Sequence, residues 1–198
     1  MPMASTDVGN SRPKNLRLFV AFPLPKGLWK DAEAVHLNNK GVANIRWTPL
    51  QNLHITIFFL GEVHASNLDK IKSKIRDEVS ATSSFKLDFE KIAFVKGRKH
   101  SGMIWMQFFK NEFFSSLSNG LEKVLQELLM HTATIHDPIP HVTLARWKGA
   151  FATEEINSEL NADFLLPEIK YCELWQSISS TEGVKYISLD RFEIGKSN

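Results

Sequence analysis

Leu53-His54-Ile55-Thr56-Ile57-Phe58-Phe59-Leu60, closed by Gly61, is a run of β-branched and aromatic residues interrupted by one histidine and one threonine. Such a run reads as a strand. Residues i and i+2 of a strand share a face, so His54 and Thr56 are expected together, with Ile55 and Ile57 buried behind them. The pattern recurs after the break at Asp137-Pro138-Ile139-Pro140, in His141-Val142-Thr143-Leu144-Ala145-Arg146. There His141 and Thr143 share a face, with Val142 and Leu144 behind. With 7 His and 9 Thr in 198 residues, chance supplies roughly 0.3 His-x-Thr pairs. Two copies, each with apolar residues at the alternate positions, point to a shared task.

Working outward, Leu16-Arg17-Leu18-Phe19-Val20-Ala21-Phe22 is a strand ended by Pro23 and Pro25, and Pro25 opens a helix to about His36. Asn38-Asn39-Lys40-Gly41 signals a turn, and Ile45-Arg46-Trp47 a short strand stopped before Pro49. Ser66 is placed as the N-cap of a helix to about Val79, with Leu68, Ile71, Ile75 and Val79 on one face. Phe85 to Phe94 alternates as a half-buried strand, and Met103 to Phe109 is another. An amphipathic helix follows from about Glu112 to Met130, with Phe113, Leu117, Leu121, Val124, Leu125 and Leu128 inward. Thr153 caps a short helix over Glu154 to Leu160. Two strands, within Phe164–Ile178 and over Val184–Ile194, finish the chain. Strands in groups with helices between them predict an α+β fold, mostly antiparallel. The helix–strand–His-x-Thr order around both histidines hints at pseudo-duplicated halves, although the halves share little other sequence.

Composition sets the bounds. The chain is 43% hydrophobic and 23% charged, with 14 Phe, which suits one globular domain over 15–198. Residues 1–14, polar and small, are expected to be a mobile tail without the apolar stretch of a secretory signal. No apolar run reaches the roughly 20 residues that span a bilayer, so a cytoplasmic monomer without membrane contact is expected. Cys172 stands alone, which excludes an internal disulfide and reads as a small buried apolar residue. A net charge of +2 is too weak for a sequence-blind nucleic-acid binder but allows a local grip on one or two phosphates. The basic runs Lys96–His100 and Lys70–Arg76 read as a loop and a solvated helix face.

The residue types fit one chemistry. Hydrolysis of a cyclic phosphodiester needs a base to take a proton from water and an acid to protonate the departing ribose oxygen. Histidine serves either role near neutral pH. A hydroxyl beside each imidazole can donate to a non-bridging phosphate oxygen as charge builds there. Two alike imidazoles give no asymmetry by which to assign acid and base. His36, His64, His100, His131 and His136 lack metal-ligand spacing, and no Gly-rich phosphate loop or Gly-x-Ser-x-Gly elbow occurs. Neither a metal nor a cofactor is expected. Trp29, Trp105, Trp147 and Trp175 read as core, while Trp47 and Phe22 are candidates for base stacking.

The stretch Asn52 to Val63, with Pro140 to Arg146, resembles the paired signatures of the 2H phosphoesterases, and among them the bacterial and archaeal RNA 2′,3′-cyclic phosphodiesterases historically called 2′-5′ RNA ligases. The likeness extends to Arg17–Ala21, Arg46-Trp47, Leu174–Ser177 and Tyr186–Leu189. It implies a bilobal fold with both motif strands lining a central cleft and helices packed outside. It implies opening of 2′,3′-cyclic phosphates to 2′-phosphates, with 2′-5′ ligation as a side activity. His54 would then be the donor to the leaving O3′ and His141 the base, with Thr56 and Thr143 on the phosphate. Many relatives carry a basic residue where this chain has Phe58. Parity puts Phe58 on the His54 face, where it would stack on a base. Arg146 matches the family's arginine, yet strict alternation turns it away from His141, so either a bulge re-aims it or it acts indirectly. The expected partners are RNA ends or short nucleotides. Rival readings are a phosphodiesterase of small cyclic nucleotides or 2′-5′ oligonucleotides, a non-catalytic nucleotide-binding module, and a structural domain with buried histidines.

Overall fold

The computed structural model describes residues 15–39, 41–130, 138–149, 168–181 and 183–195. The expected tail over 1–14, the helix at 154–160, the start of the strand before 168, and His131 and His136 lie outside the described residues. The strands are β1 (Asn15–Pro23), β2 (Ile45–Trp47), β3 (His54–His64), β4 (Phe89–Lys96), β5 (Ser101–Phe108), β6 (His141–Lys148), β7 (Tyr171–Ser180) and β8 (Gly183–Glu193). The helices are α1 (Trp29–Leu37), α2 (Leu68–Ser80) and α3 (Glu112–Leu125). The strands form one sheet in the order β4-β5-β6-β3-β1-β7-β8, with β2 added to β6, and the pairings are antiparallel. The fold is the expected α+β class.

Burial follows the sequence pattern. Ile55, Ile57, Phe58 and Leu60 of β3 join Ile71, Ile75 and Val79 of α2 and Phe114, Leu117, Leu121 and Leu125 of α3 in one core. Asn111 caps α3 by accepting a hydrogen bond from the Phe114 amide, and that start sets the phase of the inward stripe. Phe114, not the expected Phe113, therefore points inward; Phe113 stacks outside against Phe85. Ser66 lies in a short 3-10 turn before α2 and does not cap it. Two cations expected on a solvated face tie α2 to β8 instead: Lys72 and Arg76 both pair with Asp190, at 3.4 and 3.5 Å. Cys172 is buried, and its surroundings push the thiol up to about 12. Among the described residues no helix is long and apolar enough to cross a membrane.

Two irregularities decide what the cleft face presents. In β3 the partners of Ala21 and Val20 on β1 are Thr56 and Phe58, so Ile57 is an extra residue. In β6 the partners of Trp105 and Ile104 on β5 are Thr143 and Ala145, so Leu144 is extra. Each bulge lets two consecutive side chains point inward, and alternation resumes with its sign reversed. Phe58 is accordingly buried in the core and Phe59 is exposed, which corrects the expectation that Phe58 faces the cleft. Gly61, with φ of +69°, sits at a second shift in β3, in a backbone region that favours glycine. The strand therefore runs on through Gly61 to His64.

Candidate active site

β3 and β6 meet at one pair, Ile55–Val142. These are the residues between His and Thr in each motif, so a local two-fold axis passes between the two His-x-Thr segments. The cleft of about 390 Å³ over this axis is lined by His54, Thr56 and Phe59 from β3 and by His141, Thr143 and Arg146 from β6, with Thr48, Met103, Trp105 and Tyr186 around them. On both strands the cleft takes the histidine and the second and fifth residues after it, a spacing that only a bulge after the threonine allows.

The axis extends to the imidazoles. His54 Nδ1 lies 2.6 Å from the carbonyl oxygen of Asn52, and His141 Nδ1 lies 2.7 Å from that of Ile139. A carbonyl only accepts, so each Nδ1 carries the proton. In the neutral rings Nε2 is then the basic nitrogen. Each histidine opens its strand and is oriented by the carbonyl two residues upstream, just before the strand begins.

The surroundings differ. His54 stands against Phe19, Trp175 and Tyr186, with ring centroids at 5.0, 5.3 and 5.2 Å. His141 lies flat on Trp105, with centroids 3.6 Å apart and planes within 16°. Trp105 Nε1 is buried, with no hydrogen-bond partner among the described residues. Burial holds the His54 imidazole below its usual 6.5, at about 4; the Asn52 carbonyl opposes this, while His141 and Arg146 add to it. Burial lowers His141 as well, against the pull of the Ile139 carbonyl and with help from Arg146. Both rings are therefore neutral at pH 7 in the free cleft.

Arg146 reaches the cleft because Leu144 is bulged, which resolves the alternative left by strict alternation. One of its guanidinium nitrogens, Nη1, lies 2.8 Å from Met103 Sδ, and Arg146 is in register with Arg46 on β2. Like charges facing across a strand pair are unfavourable unless an anion joins them. The two arginines line a polar bay of about 220 Å³ with Trp47, Asn52, Val184 and Tyr186. Trp47 thus lies beside the cleft, stacked on His36 at 4.9 Å, and Phe22 is in the core. Trp105, expected in the core, instead lines the cleft against His141; the sequence pattern does not single out Thr48, Phe59, Met103 or Tyr186, and only the parity of Phe59, counted with a bulge, carries a local signal.

Two imidazoles, two hydroxyls and a guanidinium converge on one small cleft, an arrangement able to hold a phosphate and move protons beside it. A family model described as LigT like phosphoesterase matches residues 32–105. The chain is thus similar over this stretch to the LigT-like phosphoesterases. It is 26% identical over 180 residues to the RNA 2′,3′-cyclic phosphodiesterase of Archaeoglobus fulgidus, covering 90% of this chain and all of the relative. It is 25% identical over 135 residues to the enzyme of the same name from Methanothermobacter thermautotrophicus, covering 68% and 72% of the two chains. In fold it is similar to a Thermus thermophilus protein, with a TM-score of 0.77 and 21% identity over 92% of this chain and all of that one. Escherichia coli LigT complexed with 3′-AMP superposes with a TM-score of 0.70 at 19% identity, covering 92% and 99%.

Proposed function

We propose that this protein hydrolyses RNA 2′,3′-cyclic phosphate ends to 2′-phosphates by acid–base catalysis between His54 and His141, without a metal. The observation that carries the reading is the matched anchoring of the two imidazoles: each Nδ1–H is held by a carbonyl, which leaves Nε2 as the reacting nitrogen. The names of the archaeal relatives and the 3′-AMP complex of Escherichia coli LigT support a nucleotide substrate.

In this reading the phosphate lies on the local two-fold axis, with Thr56, Thr143 and Arg146 donating to its non-bridging oxygens. His141 Nε2 takes a proton from water as the new O–P bond forms. His54 gives its Nε2 proton to O3′ as the P–O3′ bond breaks, and exchange with solvent restores both rings. The roles follow the family resemblance, because the local symmetry is neutral between them. His54, lowered to about 4 in the free cleft, needs its proton before it can act as acid. The negative charge of the bound phosphodiester favours the imidazolium and supplies that condition.

The test is turnover of an oligonucleotide ending in a 2′,3′-cyclic phosphate, with EDTA present. Conversion to a 2′-phosphate is expected, and His54→Ala and His141→Ala should each lower kcat by about 10²–10⁴. Tight binding of the oligonucleotide by the wild type with no turnover would instead make the chain a nucleotide-binding module.

A further inference from the structure

The cleft continues past the two His-x-Thr pairs. On the His141 side it opens into an apolar bay of about 240 Å³ lined by Phe59, Trp105, Pro138 and Ile139, with Thr56 and His141 at its inner wall. Phe59 and Ile139 are 47% and 36% exposed, so both present apolar surface to solvent. Thr56, Phe59, Trp105 and His141 line this bay and the catalytic cleft alike. The bay is smaller than the about 300–1,000 Å³ of a pocket for a drug-sized ligand, and of the scale of one flat heterocycle.

The local two-fold axis relates this bay to the polar one. Phe59 and Arg146 are each the fifth residue after their histidine, and Ile139 and Asn52 are each the second before it. Phe59 and Ile139 line the apolar bay, whereas Arg146 and Asn52 line the polar bay. An in-line displacement at phosphorus has the same symmetry, with nucleophile and leaving group on opposite sides. The two substituents of a phosphodiester held on the axis therefore run out into the two bays.

We propose that the Phe59–Trp105–Pro138–Ile139 bay is a second nucleobase subsite, stacking the base of a nucleoside esterified to the phosphate from the His141 side. This rests on the phosphate lying between the His-x-Thr pairs, as in the proposed function. The subsite makes a dinucleoside phosphate a better fit than a mononucleotide. It also places the 5′-oxygen of the second nucleoside beside His141, where water stands in hydrolysis.

The measurement is binding, so it does not depend on turnover. The probes are the 3′-5′ phosphate diester of two deoxyadenosines and the methyl ester of deoxyadenosine 3′-phosphate. They carry the same charge, lack a 2′-hydroxyl, and differ by the second nucleoside. Calorimetry should give a Kd lower by roughly tenfold or more for the dinucleoside, the scale of one aromatic–base stack. Phe59→Ala and Ile139→Ser change exposed side chains, and each should bring the ratio of the two Kd values to within about threefold of one. Val184→Ser in the polar bay should leave that ratio as in the wild type. Equal affinity of the wild type for both probes, or a ratio that survives both substitutions, overturns the second subsite alone. Failure of both probes to bind overturns the phosphate-centre reading beneath it.

Discussion

His54 loses basicity on folding, from the usual 6.5 to about 4, and this makes folding itself sensitive to acid. Between those values the unfolded chain binds a proton that the folded chain refuses, so stability rises with pH across the window and falls as pH drops from 6.5 towards 4. Above 6.5 both states are neutral at this position and the effect vanishes. The difference corresponds to up to about 3 kcal/mol, and His141 shifts in the same direction. Denaturant unfolding at pH 7.5 and pH 4.5 should therefore show a loss in the wild type that is smaller in His54→Gln. Parallel losses in the two proteins would mean that burial does not keep this ring neutral. The residues behind this behaviour were partly legible in sequence. The period of two places His54 beside Thr56, and His141 beside Thr143, because no irregularity intervenes within either pair. The aromatic wall of Phe19, Trp175 and Tyr186 around His54 was not legible, since it comes from three strands distant in sequence.

At the level of strands and helices, the bulges matter more than strand length. Strict alternation sends Phe58 to the cleft and Arg146 away from it; one extra residue in each strand reverses both. Bulges are set by what receives the displaced backbone groups, and for β3 the receiver lies 61 residues away: Ser118 of α3 donates to the carbonyl of Ile57 at 2.8 Å. No window around Phe58 contains that information, which is why parity failed there while the hydrophobic run itself was read correctly. Ser118 is buried, so Ser118→Ala leaves a buried carbonyl unpaired at a cost of about 1–3 kcal/mol. The bulge that turns Phe59 to the cleft should then relax. Chemical denaturation is expected to register that loss, and kcat/KM on a cyclic-phosphate substrate should fall with it. A stability loss with kcat/KM intact would show that the bulge holds its shape without Ser118.

Across the whole molecule, the two motif strands belong to different halves of the sheet, β1, β3, β7 and β8 on one side and β2, β4, β5 and β6 on the other. Among the described residues the halves share a single ladder pair, Ile55–Val142. The sequence hinted at duplication through two His-x-Thr strands. Structure adds that the symmetry resides in backbone features with no fixed residue code: a bulge after each threonine and a carbonyl two residues before each histidine. An anion on the local axis takes ligands from both halves and so closes the seam that the sheet leaves weakly paired. Inorganic phosphate should accordingly raise Tm. At a hundred times its Kd the gain is about 2.7 kcal/mol, or roughly 5–10 °C for a chain of this size. Because each strand brings one imidazole and one hydroxyl to the anion, His54→Ala and His141→Ala should each diminish the shift in a thermal scan. A shift abolished by one substitution and untouched by the other would place the anion on one strand, and the seam would then be held by the protein alone.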